Sequence, residues 1–183
     1  MKAISLWQPW ASLWCSKRKV HETRHWPTHH RGWIVVHAAK RFETNFAVDD
    51  PLRMILDDEF GGQWATNLPA GALIGVVNVV ACKRTEDVTG GLGLRNARPE
   101  QYDDYRCGDF TDGRYAWKRR EFRVFERPIP HRGAQGIFNV PDSMIGMERI
   151  AGMLEIEMAE LFAVPRPNEE RPEPLPGGRR RGR

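Results

Sequence analysis

Trp7 and Trp10, with Gln8 and Pro9 between them, precede the run Lys19-Val20-His21-Glu22-Thr23-Arg24-His25-Trp26. A short stretch of chain thereby collects an ammonium, a carboxylate, a guanidinium and several indole planes. Base recognition uses these same groups. An aromatic face stacks on a base for about 1–3 kcal/mol. A guanidinium forks onto phosphate, and a carboxylate accepts from an exocyclic amine or ring N–H. Core tryptophans beside a solvated charged strand would give the same pattern, and spacing alone leaves both readings open.

Other chemistry is less well marked. His21, His25, His29, His30 and His37 lie close together and titrate in the range useful to a ribonuclease, although histidines in a polar stretch are usually just solvated. His21 and His25 would stand about 13 Å apart along a strand, too far for one ion, so no metal site is expected. His37 ends an apolar run ahead of Lys40, as a satisfied core histidine or as a pocket wall. Trp117 lies between Arg114 and Lys118, as a core aromatic or as a stacking plate beside a basic rim. Arg119, Arg120, Arg123 and Arg127 extend that rim into a plausible phosphate-tracking groove or a solvated face. Cys15, Cys82 and Cys107 are odd in number and form no CxxC pair, which suits reduced thiols.

These groups need a scaffold, and 183 residues suit one domain with appendages. The formal charge of +4 is misleading, because residues 165–183 carry six Arg against three Glu. That tail holds +3 of it and leaves +1 for the first 164 residues, so net charge does not argue for nucleic acid. No GxGxxG or GxxxxGK[ST] motif occurs, and no cofactor is expected. No apolar run reaches about 18 residues, so no membrane span is expected. The N-terminal stretch is broken by Gln8 and Pro9 and lacks a cleavage site, so we expect no signal peptide and a cytoplasmic protein.

Alternation over 20–24 and β-branched runs over 33–38 and 73–81 predict strands, the latter two buried on both faces. Shorter strands are expected at 2–6, 114–119, 122–127 and 136–140. Helices are expected at 9–16, at 50–60 after Asp50-Pro51, and within 142–164, where Met147, Ile150, Leu154, Met158 and Leu161 recur at three- and four-residue steps. Residues 86–113 lack periodicity and read as a long surface loop. Residues 165–183, with five Pro and a terminal RRRGR, read as a disordered tail. Many strands with short helices favour a small, mostly antiparallel barrel over a doubly wound sheet.

The blocks KAISLWQPWASL, KVHETRHWPTHHRGWIVVHAAK, LPAGALIGVVNVVAC and GRYAWKRREFRVFERPIPHRGAQGIFNVP together resemble the ASCH domain family across about residues 2–141. The family's G-x-K-x-x-E-x-R element is similar to Lys19, Glu22 and Arg24 here, with Lys17 where the family has Gly. The resemblance implies an α+β, mainly β fold: a PUA-like barrel over 1–141 with flanking short helices, then the 142–164 helix and the tail. It also implies binding of RNA or a nucleobase. The set expected on that basis is Gln8, Trp10, Lys19, Glu22, Arg24, Trp26, His37, Lys40, Trp117 and Lys118.

Some family members resemble amidohydrolases acting on N4-acylated cytidine, and a ribonuclease activity has been attributed to others; for either, Lys19 and Glu22 would be catalytic. The hydrolase pattern is K-x-x-T-x-R, from which this chain departs: Thr23 stands one place off, and the 73–81 strand carries Asn78 but no carboxylate. Members of this length often resemble phage or prophage products. A protein-interaction module docking through the 142–164 helix is a third reading.

Overall fold

A computed structural model describes residues 1–47, 50–89 and 102–146. The chain runs β1 (Lys2–Gln8), α1 (Trp10–Trp14), β2 (His21–Arg24), β3 (Gly32–Phe42), α2 (Pro51–Phe60), α3 (Trp64–Asn67), β4 (Ala72–Arg84), α4 (Thr85–Thr89), α5 (Tyr102–Arg106), β5 (Tyr115–Pro130), β6 (Ile137–Asn139) and α6 (Asp142–Ile145).

One mixed six-stranded sheet results, in the order β2-β5-β4-β3-β1-β6. Among the described residues only β1 and β3 pair in parallel, with Ser5 opposite His37. The expected barrel is not closed by hydrogen bonds among the described residues, where β2 and β6 remain as edges. Repeated register shifts between β4 and β5 bend the sheet without joining its ends. No helix among the described residues is long and apolar enough to cross a membrane.

The largely apolar runs of β3 and β4 follow from covering both sheet faces. Ile34, Val36, Val77 and Val79 face a core with Ile4, Leu6, Trp14 and Trp117. Their alternates Trp33, Val35, Leu73 and Val76 pack with Val140 and Ile145. Each such side chain contributes about 1.5–3 kcal/mol when fully buried. A third cluster joins Leu13 of α1 to Leu52, Ile55 and Leu56 of α2, and to Trp64 and Cys107. Helix α2 starts where Asp50-Pro51 predicts, with the Asp50 carboxylate accepting from the Leu52 N–H at 2.8 Å.

Two expectations need correction. The strands expected at 114–119 and 122–127 are one strand, β5, which stays extended through Arg120 and Glu121. The region 86–113 is not merely a loop, since α4 and α5 form at its ends and Asp104, Tyr105 and Cys107 are buried. Short charged helices of this kind have too few turns to show a period. Of the helix expected over 142–164, the described residues show only α6, followed by Gly146 at φ +58. Its remaining residues and the tail lie outside the described residues. The three cysteines are free, and burial pushes the Cys15 and Cys107 thiols up to about 12.

Candidate base-binding site

The segment entering β2 is clamped from two sides. From β5, the buried Arg119 guanidinium donates through Nε to the Lys19 carbonyl at 3.0 Å and through Nη2 to the Ser16 carbonyl. Its plane lies 4.4 Å over the Phe122 ring, and burial holds its pKa below the usual range. From α5, the Asp104 carboxylate accepts from the backbone N–H groups of Val20 at 2.6 Å and His21 at 2.8 Å, and pairs with His21 Nδ1 at 2.6 Å. Burial alone would raise the Asp104 pKa, but the bonds and charge of His21 bring it below the carboxylate norm.

So anchored, the short strand β2 presents Glu22 and Arg24 on one face. Lys19 Nζ lies 3.3 Å from Glu22 Oε2, with the two side chains 1% and 7% exposed. Glu22 Oε1 lies 3.7 Å from Arg24 Nη1, whose side chain is 26% exposed. Lys19 Nζ also donates to the Cys107 carbonyl. The charges thus grade outward from buried ammonium through carboxylate to half-exposed guanidinium. Arg24 Nε is buried without a hydrogen-bond partner among the described residues, a donor that an incoming acceptor would satisfy.

Lys19, Glu22, Arg24, Trp10 and Trp26 all line one hollow of about 1020 Å³. Arg24 lies 5.7 Å over the Trp26 ring, which itself meets Trp117 edge-on at 4.6 Å. Sequence reasoning did not put Trp7, Arg106, Asp109 or Arg114 in the set, yet they line the same hollow. Trp7 and Arg114 stood in the quoted motifs; Arg106 and Asp109 lay in the aperiodic stretch and gave no signal. Trp7 is exposed, with the Arg41 guanidinium 3.8 Å over its ring. Arg114 Nη2 donates to the Thr23 carbonyl at 3.3 Å, and Thr23 Oγ1 accepts from the Asp109 N–H at 2.9 Å.

The other expected residues lie elsewhere. Gln8 is fully buried and ties Ser12 to Pro69 through its amide, so its polar atoms face inward. Trp117 is fully buried in the core, its Nε1 donating to the Trp26 carbonyl at 3.3 Å behind the hollow. Lys118 is exposed outside it. His37 and Lys40 line a second hollow, of about 830 Å³, with Gly71, His131 and Arg132. His37 is buried, with Ser5 Oγ at 3.0 Å from Nδ1 and the His131 carbonyl at 3.0 Å from Nε2. Ser5, Ala39, Ala134 and Gln135 line both hollows and form the wall between them.

Residues 4–107 match the ASCH domain family, more than half of the chain. The chain belongs to the ASCH domain family. Among solved structures, the ASCH protein from Zymomonas mobilis is 17% identical at a TM-score of 0.44, over 83% of this chain and 94% of that one. A single-substitution variant of the same protein gives 18% identity and a TM-score of 0.44, over 80% and 94%. No curated protein matches the chain. The matched ASCH region contains β2 and the Lys19, Glu22 and Arg24 positions, and ends at Cys107, whose carbonyl accepts from Lys19.

Proposed function

We propose that this ASCH protein binds RNA or a modified nucleobase in the first hollow, in the manner of a PUA-like module. What carries the reading is one juxtaposition: a buried Lys19–Glu22 pair, a half-exposed Arg24 and the indoles of Trp10 and Trp26 around a single cavity. Glu22 accepts from a base amine or ring N–H, its position held by Lys19. Trp10 and Trp26 stack, at about 1–3 kcal/mol for each base. Arg24 and Arg114 meet a base carbonyl, or a flanking phosphate of a longer RNA, at the mouth.

A titration of single-stranded RNA oligonucleotides by fluorescence anisotropy tests this. Wild-type protein should bind at low salt and weaken steeply as salt rises. Glu22→Gln and Arg24→Gln should each weaken binding, Glu22→Gln with a change in base preference and Arg24→Gln without one. No affinity at low salt, or equal affinity in both variants and wild type, would overturn the proposal. Conversion of N4-acetylcytidine to cytidine, lost in Lys19→Ala, would replace binding by catalysis at the same groups.

A further inference from the structure

The two hollows carry the same formal charge but hold it differently, as four cations against two carboxylates in the first and two cations alone in the second. Glu22 and Asp109 line the first, whereas the lining of the second holds Lys40, Arg132 and two histidines and, among the described residues, no carboxylate. Lys40 and Arg132 are exposed, and no carboxylate among the described residues pairs with either. A carboxylate beside a ligand phosphate costs like-charge repulsion, and unpaired cations in an acid-free cleft attract it.

Local packing aims Lys40 at this cleft. Gly71, at φ +64, has no side chain where the Lys40 stem crosses it; a Cβ there would lie 3.1 Å from Lys40 Cε. Gly71 is itself tied to β3 and to the 131–136 segment, by its N–H to the Ala38 carbonyl at 2.8 Å and by its carbonyl to the His131 N–H at 3.0 Å. Ser5 adds direction to the shared wall. The His131 carbonyl can only accept, so His37 Nε2 carries the proton and Nδ1 accepts from the Ser5 hydroxyl. Ser5 then has only lone pairs to offer a ligand, which suits a sugar hydroxyl and not a phosphate.

We propose that the second hollow is a phosphate subsite, so that the two hollows together seat one ribonucleotide. Its base lies against Glu22 and the indoles, its sugar at the Ser5 wall, and its phosphate between Lys40 and Arg132. This rests on the base-binding reading and extends it to a ligand class.

Calorimetry of ribonucleosides against their monophosphates, with wild type and a Lys40→Ala, Arg132→Ala double variant, tests it through the ratio of the two affinities. Wild type should favour the monophosphate on the order of tenfold at low salt, less as salt rises, and the double variant should bring the ratio near unity. Equal affinities in wild type would overturn the subsite while leaving base binding intact. A ratio unchanged in the double variant would overturn it by putting the phosphate elsewhere. Monophosphate binding that needs Lys40 and Arg132, with no nucleoside binding, would keep the subsite and remove the base reading. Absence of both would remove both.

Discussion

Replacing Glu22 by Gln should destabilise the fold by about 3 kcal/mol, through the charge it leaves behind. At 3.3 Å, with an effective dielectric of about 20, the Lys19–Glu22 attraction is about 5 kcal/mol. The amide oxygen of Gln still accepts from Lys19, which recovers about 1 kcal/mol, and a buried carboxylate no longer has to be desolvated. Arg24 adds less, being farther away at 3.7 Å and with its side chain 26% exposed. The remainder fits the roughly 3–5 kcal/mol lost when one partner of a buried pair is removed. In a fold of this size that lowers Tm by about 10 °C. Lys19→Met combined with Glu22→Gln should then cost much less than the two single changes added together, and urea unfolding of all four proteins measures the coupling. If the single changes simply add, or Glu22→Gln melts within about 1 °C of wild type, the pair is not the buried one described.

Arg119→Met should cost about 2–4 kcal/mol by orphaning the Ser16 and Lys19 carbonyls, with faster hydrogen exchange confined to residues 16–21; unchanged exchange there would contradict the clamp. Gly133→Ala places a Cβ 2.4 Å from His37 Cε1 and 2.6 Å from Ser5 Oγ, so a loss of about 1–3 kcal/mol is expected in thermal melts. Asp104 has a folded pKa below its ordinary 3.8, so the stability it adds is present above that value and is lost as pH falls through the lower folded one. Asp104→Asn should therefore flatten the acid limb of a stability–pH curve. Burial holds the His37 pKa below 6.5, so the unfolded chain takes up the proton first. Stability should fall as pH drops below about 6.5, and His37→Gln should remove that part of the decline.

The central strands were legible because both faces of β3 and β4 are buried and only one polar residue each, His37 and Asn78, interrupts the runs 33–38 and 73–81. Helix α2 was legible from Asp50-Pro51 and the Leu52, Ile55, Leu56 stripe. Lys19, Glu22 and Arg24 lie within six consecutive residues, so one short strand with its entry turn brings them together. Long-range closure left no such trace. Arg119 reaches Lys19 across 100 residues and Asp104 reaches Val20 across 84. Neither Arg in a basic strand nor Asp in an aperiodic acidic stretch signals burial. Whether Gln8 and Trp117 face the core or a pocket was not legible for a related reason, since residue type gives chemistry and only the fold tells which side of the sheet receives it; both are fully buried.

Indole N–H resonances offer the most direct test of the hollow itself. As a ribonucleotide is titrated in, Trp10 and Trp26 should shift together and saturably, while Trp33, packed in the cluster with Val35 and Val76, stays in place. A titration that reaches saturation with Trp10 and Trp26 unmoved, or that moves Trp33 instead, would contradict the account.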